Sequence, residues 1–349
     1  MTTLADRRRL TPAGVIAIAV GLTLFWISVR RAGVSEILDA IRRLGFGFVA
    51  VFALSAVREV SRTLAWTLCV DPPHRLRFRD AFPARLTGEA LGNLTPLGLL
   101  VSEPTKAVYV RHRLPLTSAL AAALVETLFY SVTVAIVIAA GIAAFLLSFP
   151  VPRPVRIASL IALGGILLIG VVMVWVIAAR PKLVTTMLGW LHDRGVAQPM
   201  LAGRLDNVRA AEERVYGFFV RHPSRLLRVC LLDAAFHAAG VAEVYVTLAF
   251  MTDPASVTWL AAFVLEAVNR IVTVVFKVVP LRLGVDEAAA GLVSNVLTLG
   301  TASGVALAIV RKARVLCWSA LGIGFLIHRG LSVRTVLEET QTEVTGGRA

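Results

Sequence analysis

The sequence predicts an all-α polytopic membrane protein with an inverted-topology internal repeat and two re-entrant helical hairpins. Three observations support this class: long apolar blocks, basic clusters that separate some of them, and segments that recur at a constant spacing. Hydrophobic residues make up 57% of the 349 residues and charged residues only 17%, whereas soluble domains carry about a quarter charged residues. The composition therefore argues against a soluble catalytic domain.

Seven apolar blocks are long enough to cross a hydrocarbon core about 30 Å thick. They are residues 12–29, 46–70, 116–149, 155–179, 226–251, 257–279 and 303–327. The first block follows three arginines, but no small-residue cleavage site comes after it, so we interpret it as a retained helix rather than a signal peptide. We expect a single transmembrane domain at 13–330, an N-terminus at 1–12 and a polar tail at 331–349.

The distribution of basic residues orients these spans by the positive-inside rule. Residues 180–228 carry nine basic and four acidic side chains, which predicts a cytoplasmic loop at 180–225. Counting spans from this loop places both termini in the cytoplasm, at a bacterial-type inner membrane. The net charge of +14 then suits anionic membrane surfaces. We expect no nucleic-acid binding, because the aromatic residues that stack on bases are missing among the basic ones.

The apolar stretch between Arg79 and Lys106 predicts the first re-entrant hairpin. Both ends carry cytoplasmic-type charge, yet about 26 residues separate them and two crossings need about 40. We expect the turn at residues 93–98, because Pro96 has no amide hydrogen and Gly98 relaxes the backbone. Broken backbone at membrane depth needs surrounding protein or a water-filled cavity, so the hairpin indicates a polar site.

Two pairs of segments recur at the same spacing along the chain. Residues 59–66 match residues 243–250 at five of eight positions, and residues 96–103 match residues 280–287 at five of eight. Both pairs are offset by 184 residues, which gives repeat halves at about 46–148 and 226–329. The predicted topology inverts the second half, so its hairpin enters from the opposite side, as in alternating-access transporters.

Ionisable side chains inside spans cost about 2.5–3.5 kcal/mol each, and we take those near the hairpins as candidates for substrate binding. The basic ones suit a lipid phosphate, although Lys106 could instead reach the membrane interface. Glu103 and Glu287 either cap a helix start or bind a cationic group or a proton. The candidates are Arg85, Glu89, Asn93, Pro96, Glu103, Lys106, Glu126, Asn269, Arg270, Lys277, Pro280, Glu287 and Arg311.

Two side-chain pairings and several absences also follow from the sequence. Glu59 and Arg62 are three residues apart on one helix face and are expected to pair. Glu126 and Arg311 occupy equivalent repeat positions and are expected to meet across the pseudo-twofold axis. The three cysteines have no metal-ligand or disulfide spacing, and we find no catalytic motif. We therefore predict no catalytic residue, metal or cofactor.

The chain also resembles a known family. Residues 85–96, Arg-Leu-Thr-Gly-Glu-Ala-Leu-Gly-Asn-Leu-Thr-Pro, with Ser-Glu-Pro-Thr-Lys at 102–106, resemble the first motif of the lysylphosphatidylglycerol synthase transmembrane-region, or flippase-like, family. Residues 280–287 and 306–311 resemble its second motif. The chain departs from the pattern at Val101 and Ser102, where the family often has two glycines. About 20 residues follow Arg329, so we expect no aminoacyl-transferase domain.

The resemblance, which covers residues 15–329, implies movement of aminoacyl-phospholipids, hopanoids or polyprenyl-linked lipids between leaflets. We therefore expect a flippase or lipid transporter that works by alternating access, with anionic-headgroup lipids as partners. One alternative is a non-transporting scaffold or lipid-delivery partner of an envelope-lipid or glycan biosynthesis enzyme. The other is an intramembrane enzyme. The sequence leaves the lipid, the direction, the energy source and the oligomeric state open.

Overall fold

The computed structural model describes residues 30, 34–94, 98–179, 217–218, 221, 223–276 and 279–329, and this part of the chain is helical with no strand. Its ten α-helices are α1 Val34–Leu44, α2 Gly47–Leu68, α3 Phe78–Leu94, α4 Gly98–Tyr109, α5 Leu116–Ser148, α6 Arg153–Ala179, α7 Pro223–Met251, α8 Trp259–Val275, α9 Val285–Val296 and α10 Thr301–His328. Short 3₁₀ turns at Pro254–Ser256 and Pro280–Arg282 precede α8 and α9. The all-α prediction is confirmed.

Six of the seven predicted spans coincide with helices, namely α2, α5, α6, α7, α8 and α10; the first, 12–29, lies outside the described residues. Three stretches are long and apolar enough to cross a membrane: Leu116–Ser148, Arg153–Val172 and Pro223–Met251. Charged residues such as Arg62 and Arg311 lower the hydropathy of α2 and α10, but these side chains are buried. The charges therefore belong to the interior of the bundle.

Helix α6 shows which surface suits contact with lipid tails. In its most apolar stretch, Arg153–Val172, the mean hydropathy is 2.4 and none of the residues is buried. Ile161, Leu168 and Val171 are each more than 60% exposed. A continuous apolar surface of this kind is rare on soluble monomers and is expected where a helix faces hydrocarbon.

The helices of the two sequence halves follow the same order. Helices α3 and α8 each have 17 residues, and α4 and α9 each have 12. A 12-residue helix rises about 18 Å, less than the hydrocarbon thickness of about 30 Å, so neither α4 nor α9 can span a membrane alone. This order agrees with the predicted repeat, while its inverted orientation and the re-entrant paths stay predictions. Of the predicted hairpin turn at residues 93–98, residues 95–97 lie outside the described residues.

Helices α3 and α10, one from each half of the chain, approach each other closely. The Thr87 hydroxyl donates a hydrogen bond to the Gly322 carbonyl at 3.0 Å. A Cβ atom at Gly322 would clash with the backbone carbonyl of Leu86. The glycine therefore lets two helix backbones approach closely, as small residues commonly do in membrane bundles.

We predict that Gly322→Ala lowers the unfolding temperature of the purified protein, because the new methyl group has to push α10 away from α3. Gly324→Ala on the same helix is the matched control, since a Cβ there meets nothing within 4 Å. Alanine favours a helix over glycine by about 1 kcal/mol, so the control should be neutral or stabilising. A thermal melt in detergent measures both, and equal melts for the two variants would contradict the contact.

Candidate functional site

A polar cavity of about 260 Å³ lies inside the helix bundle, and both sequence halves contribute to its wall. Its basic lining residues are Arg58, Arg62, Arg85, Lys106, Arg270, Arg282 and Arg314. Its acidic lining residues are Glu59, Glu89 and Glu103. Three aromatic side chains also line the cavity, those of Tyr130, Phe236 and Trp318. So many charges in an apolar bundle mark a candidate functional site.

Many of the residues predicted from the sequence meet at this cavity. Those that line it are Arg85, Glu89, Asn93, Glu103, Lys106, Asn269 and Arg270. Pro96 and Lys277 lie outside the described residues, and Pro280 begins the 3₁₀ turn whose next two residues line the cavity. Glu126, Glu287 and Arg311 lie outside the lining and contact other charged groups.

The basic wall depends on carboxylates that do not line the cavity themselves. The Glu243 carboxylate accepts a hydrogen bond from Arg58 Nη1 at 2.8 Å and also pairs with Arg314. The Glu266 side chain is fully buried and pairs with Arg270. It also accepts a hydrogen bond from Arg311 Nη2 at 2.7 Å. A buried ion without a partner costs several kcal/mol, so these carboxylates allow the guanidinium groups to be buried.

On α5, the carboxylate of Glu126 also pairs with buried arginines of the cavity wall. Its Oε1 lies 2.9 Å from Arg62 Nε and 4.0 Å from Arg85 Nη1. The structure thus pairs Arg62 with Glu126, rather than with Glu59 as the helix-face spacing predicted. Glu59 lies 3.5 Å from Arg85 Nε instead. The reason is tertiary: α5 brings a buried carboxylate to Arg62, and α3 brings a guanidinium to Glu59.

The expected pairing of Glu126 with Arg311 is replaced as well. Arg311 Nη2 donates to Glu266 on α8, while Glu126 is occupied by Arg62. Each charge of the predicted pair therefore has its partner on another helix. Close packing helps, because Gly240 on α7 leaves room for Glu266, whose Oε1 would lie 2.6 Å from a Cβ atom at Gly240.

Aromatic rings separate the guanidinium groups of the basic wall. The Phe236 ring lies 4.6 Å from the Cζ atom of Arg58 and 4.9 Å from that of Arg270. The Tyr130 ring lies 3.5 Å from Arg62 Cζ, and its hydroxyl accepts a hydrogen bond from Arg270 Nη1 at 3.0 Å. Cation–π contacts of this kind contribute about 0.5–2 kcal/mol each. They offset part of the repulsion between neighbouring arginines.

The acidic part of the lining lies on α2, α3 and α4. Lys106 Nζ donates a hydrogen bond to Glu103 Oε1 at 2.7 Å, and Arg85 pairs with Glu89 one helical turn away. Gly88 makes room for the lysine, because a Cβ atom there would lie 2.6 Å from Lys106 Cγ. All three lining carboxylates, including Glu59, therefore have a lining cation as partner.

A second charged group of residues fixes the start of α9. Glu287 Oε2 accepts a hydrogen bond from the Gly284 amide at 2.8 Å, which is the capping arrangement that the sequence left open. Lys312 Nζ lies 2.7 Å from Glu287 and 3.2 Å from Asp286. Asp286 in turn pairs with the cavity residue Arg282 at 3.2 Å. Glu287 is thus linked to the lining residue Arg282 through Lys312 and Asp286.

The loop before α9 carries backbone strain at the cavity. Leu281 and Arg282 have φ values of 51° and 48°, in the left-handed region that costs residues with a Cβ about 1–2 kcal/mol. Both side chains line the cavity. Strain of this kind persists where the surrounding contacts hold it, and it concentrates at binding sites and switch regions.

The arrangement of lining charges is suited to binding an anion. Guanidinium groups form charge-assisted hydrogen bonds with phosphate oxygens. Four of the lining arginines lie on one side of the cavity, because each contacts Glu243 or Phe236: Arg58, Arg62, Arg270 and Arg314. The part of the chain with described structure contains no cluster of three or more potential metal ligands. On the basis of its guanidinium groups, we treat the cavity as a candidate anion-binding site.

Several lining residues were not among the candidates from the sequence. Three of them could have been recognised as charged residues within a predicted span: Arg58, Glu59 and Arg62. Nothing in the sequence singles out Tyr130 and Phe236, because aromatic residues are common in apolar helices. Their role depends on arginines from other helices.

We predict that Arg62→Gln and Glu126→Gln each destabilise the fold, because either change leaves a buried charge without its partner, at a cost of about 3–5 kcal/mol. The double variant should be less destabilised than the sum of the singles, since it removes both charges. A double-mutant cycle from denaturant or thermal unfolding measures this coupling. The exposed pair Asp39 and Arg42 is the control, and additivity at the buried pair would contradict the prediction.

The match to a family model agrees with the helical membrane architecture. A model described as the lysylphosphatidylglycerol synthase TM region matches residues 14–324, a range that includes the cavity lining. No curated protein and no solved structure matches the chain. The match and the membrane-length apolar helices make this a membrane protein. The chain belongs to the lysylphosphatidylglycerol synthase transmembrane-region family.

Proposed function

We propose that this chain is a lipid flippase or transporter, which moves a phospholipid or related amphiphile between the leaflets of the inner membrane. The observation that carries the proposal is the charged cavity of about 260 Å³ within an apolar helix bundle. A lipid headgroup crosses hydrocarbon slowly because it loses its hydration. Side chains that replace the lost water contacts lower that barrier.

The tails of the lipid need no polar path. Large apolar side chains are exposed on several helices, and α6 exposes a long apolar face. In our proposal the headgroup occupies the cavity while the acyl chains stay in the surrounding bilayer. This arrangement lets one small cavity serve a lipid that is much larger than the cavity itself.

The contacts between the halves supply a basis for alternating access. Arg58 of the first half pairs with Glu243 and Glu266 of the second, and the Trp318 indole donates to Ser55 Oγ at 2.8 Å. A headgroup phosphate that binds the arginines would compete with these carboxylates. Binding would thereby shift the balance between two packings of the halves. The predicted inverted repeat would then open the cavity to each side in turn.

We predict that the purified chain, reconstituted in proteoliposomes, exchanges a fluorescent phospholipid between leaflets faster than protein-free liposomes do. A membrane-impermeant quencher added outside measures the rate. The double variant Glu103→Gln/Lys106→Gln should slow exchange about tenfold or more, because it removes charge-assisted contacts from the cavity. Neutralising both partners avoids an unpaired buried charge.

The matched control is Asp80→Asn/Arg113→Gln, which neutralises a charge pair 3.4 Å apart and away from the lining. It should exchange lipid like the wild type. No exchange by the wild type, while a known flippase works in parallel, would contradict the proposal. That result would favour the scaffold or lipid-delivery alternative.

A further inference from the structure

We infer that the cavity selects lipid headgroups of net negative charge, and discriminates against headgroups whose phosphate is balanced by an amine. This inference rests on the proposed function, because it names the substrate class of the same cavity. Seven basic and three acidic side chains line the cavity, an excess of four positive charges. The location of the remaining carboxylates decides how a ligand experiences that excess.

The carboxylates that hold the arginines lie behind them. Glu126, Glu243 and Glu266 are 2%, 2% and 0% exposed in their side chains, and none of them lines the cavity. A ligand in the cavity therefore meets the guanidinium groups at close range and these carboxylates only at longer range. Since Coulomb energy falls with distance, the lining cations dominate at the ligand.

The lining carboxylates give an amine little to bind. Glu59 and Glu89 both pair with Arg85, and Glu103 pairs with Lys106 at 2.7 Å. An ammonium group that approaches any of the three thus also approaches a cation that is already bound there. The lining favours a phosphate and disfavours the second charge of a zwitterionic or cationic headgroup.

Burial strengthens the selection. Arg58, Arg62 and Arg270 have side chains that are 7%, 6% and 5% exposed, so bulk water screens them weakly. Hydrogen bonds to a charged partner are the strong ones in such places. A difference of one compensating charge on the headgroup should therefore change affinity by about tenfold or more.

Three lipids that share dioctanoyl chains test the inference. They are phosphatidylglycerol, which is anionic, phosphatidylethanolamine, which is zwitterionic, and lysyl-phosphatidylglycerol, which adds an amino acid and is cationic. Titration of the purified full chain in non-ionic detergent, followed by native mass spectrometry, gives a dissociation constant for each lipid. We expect phosphatidylglycerol to bind about tenfold or more tightly than the other two. Equal affinity, or tighter binding of an amine-bearing lipid, overturns the inference.

A soluble arm separates a lipid from a free phosphate ester. Glycerophosphoglycerol, the deacylated form of phosphatidylglycerol, carries the same singly charged phosphodiester without acyl chains. We expect it to bind more weakly than phosphatidylglycerol, because the tails add apolar contact with the bundle surface. Binding as tight as that of the lipid would overturn the assignment to a lipid headgroup.

Two double variants that leave the net charge unchanged test whether the cavity is responsible for the lipid preference. Arg62→Gln/Glu126→Gln removes one lining cation and the carboxylate behind it, so the net charge of the protein is unchanged. The remote pair Asp80→Asn/Arg113→Gln, whose side chains lie 3.4 Å apart, makes the same change away from the cavity. We expect the preference for phosphatidylglycerol to fall several-fold only in the first variant. An equal preference in both overturns the role of the cavity.

The lipid ranking of the wild type remains decisive if the first variant does not fold. The ranking is also independent of transport. A preference for the anionic lipid without exchange in proteoliposomes would contradict the proposed function and leave the inference standing. Exchange without a preference would overturn the inference alone.

Discussion

The structure depends on three buried carboxylates, Glu126, Glu243 and Glu266, which hold a wall of arginines inside an apolar bundle. Each contacts at least two guanidinium groups. Removing an ion from water costs several kcal/mol, so neither partner would be tolerated at this depth alone. The carboxylates lie outside the lining, and all of their arginine partners except Arg311 lie within it. A nearly balanced set of charges thus presents a cationic surface to the cavity, while Phe236 and Tyr130 keep the guanidinium groups apart.

The same ion pairs join the two halves of the chain, and in the proposed transport cycle they connect headgroup binding to movement. Arg58 on α2 reaches Glu243 on α7, a partner 185 residues away. In the proposed cycle a headgroup phosphate would offer the arginines an alternative partner, so that ligand binding and the contact between the halves would involve the same side chains. The left-handed backbone at Leu281 and Arg282 lies in the lining and adds a second element with stored strain. Ion pairs between the halves and a strained turn therefore meet at the same cavity.

The sequence predicts the parts of this site that local pattern determines, and no more. Charge beside an apolar hairpin identified Arg85, Lys106 and Arg270, and span length with basic clusters predicted the helical membrane architecture. The ion-pair partners could not be predicted from the sequence, because Glu59 and Arg62 share a helix face but pair with residues on other helices. The aromatic residues were missed for a related reason, since a phenylalanine in an apolar helix becomes informative only when several arginines surround it. Pairings between distant helices require the packed structure.

The most direct test of lipid movement is a leaflet-resolved lipid analysis of membranes from cells with and without the gene. The deletion strain is complemented with the wild type, with Arg62→Gln/Glu126→Gln, or with the remote pair Asp80→Asn/Arg113→Gln. We expect one anionic lipid class to change its leaflet distribution on deletion. We expect the wild type and the remote pair to restore that distribution, and the cavity pair not to restore it. An unchanged distribution on deletion, or full restoration by the cavity pair, would contradict it.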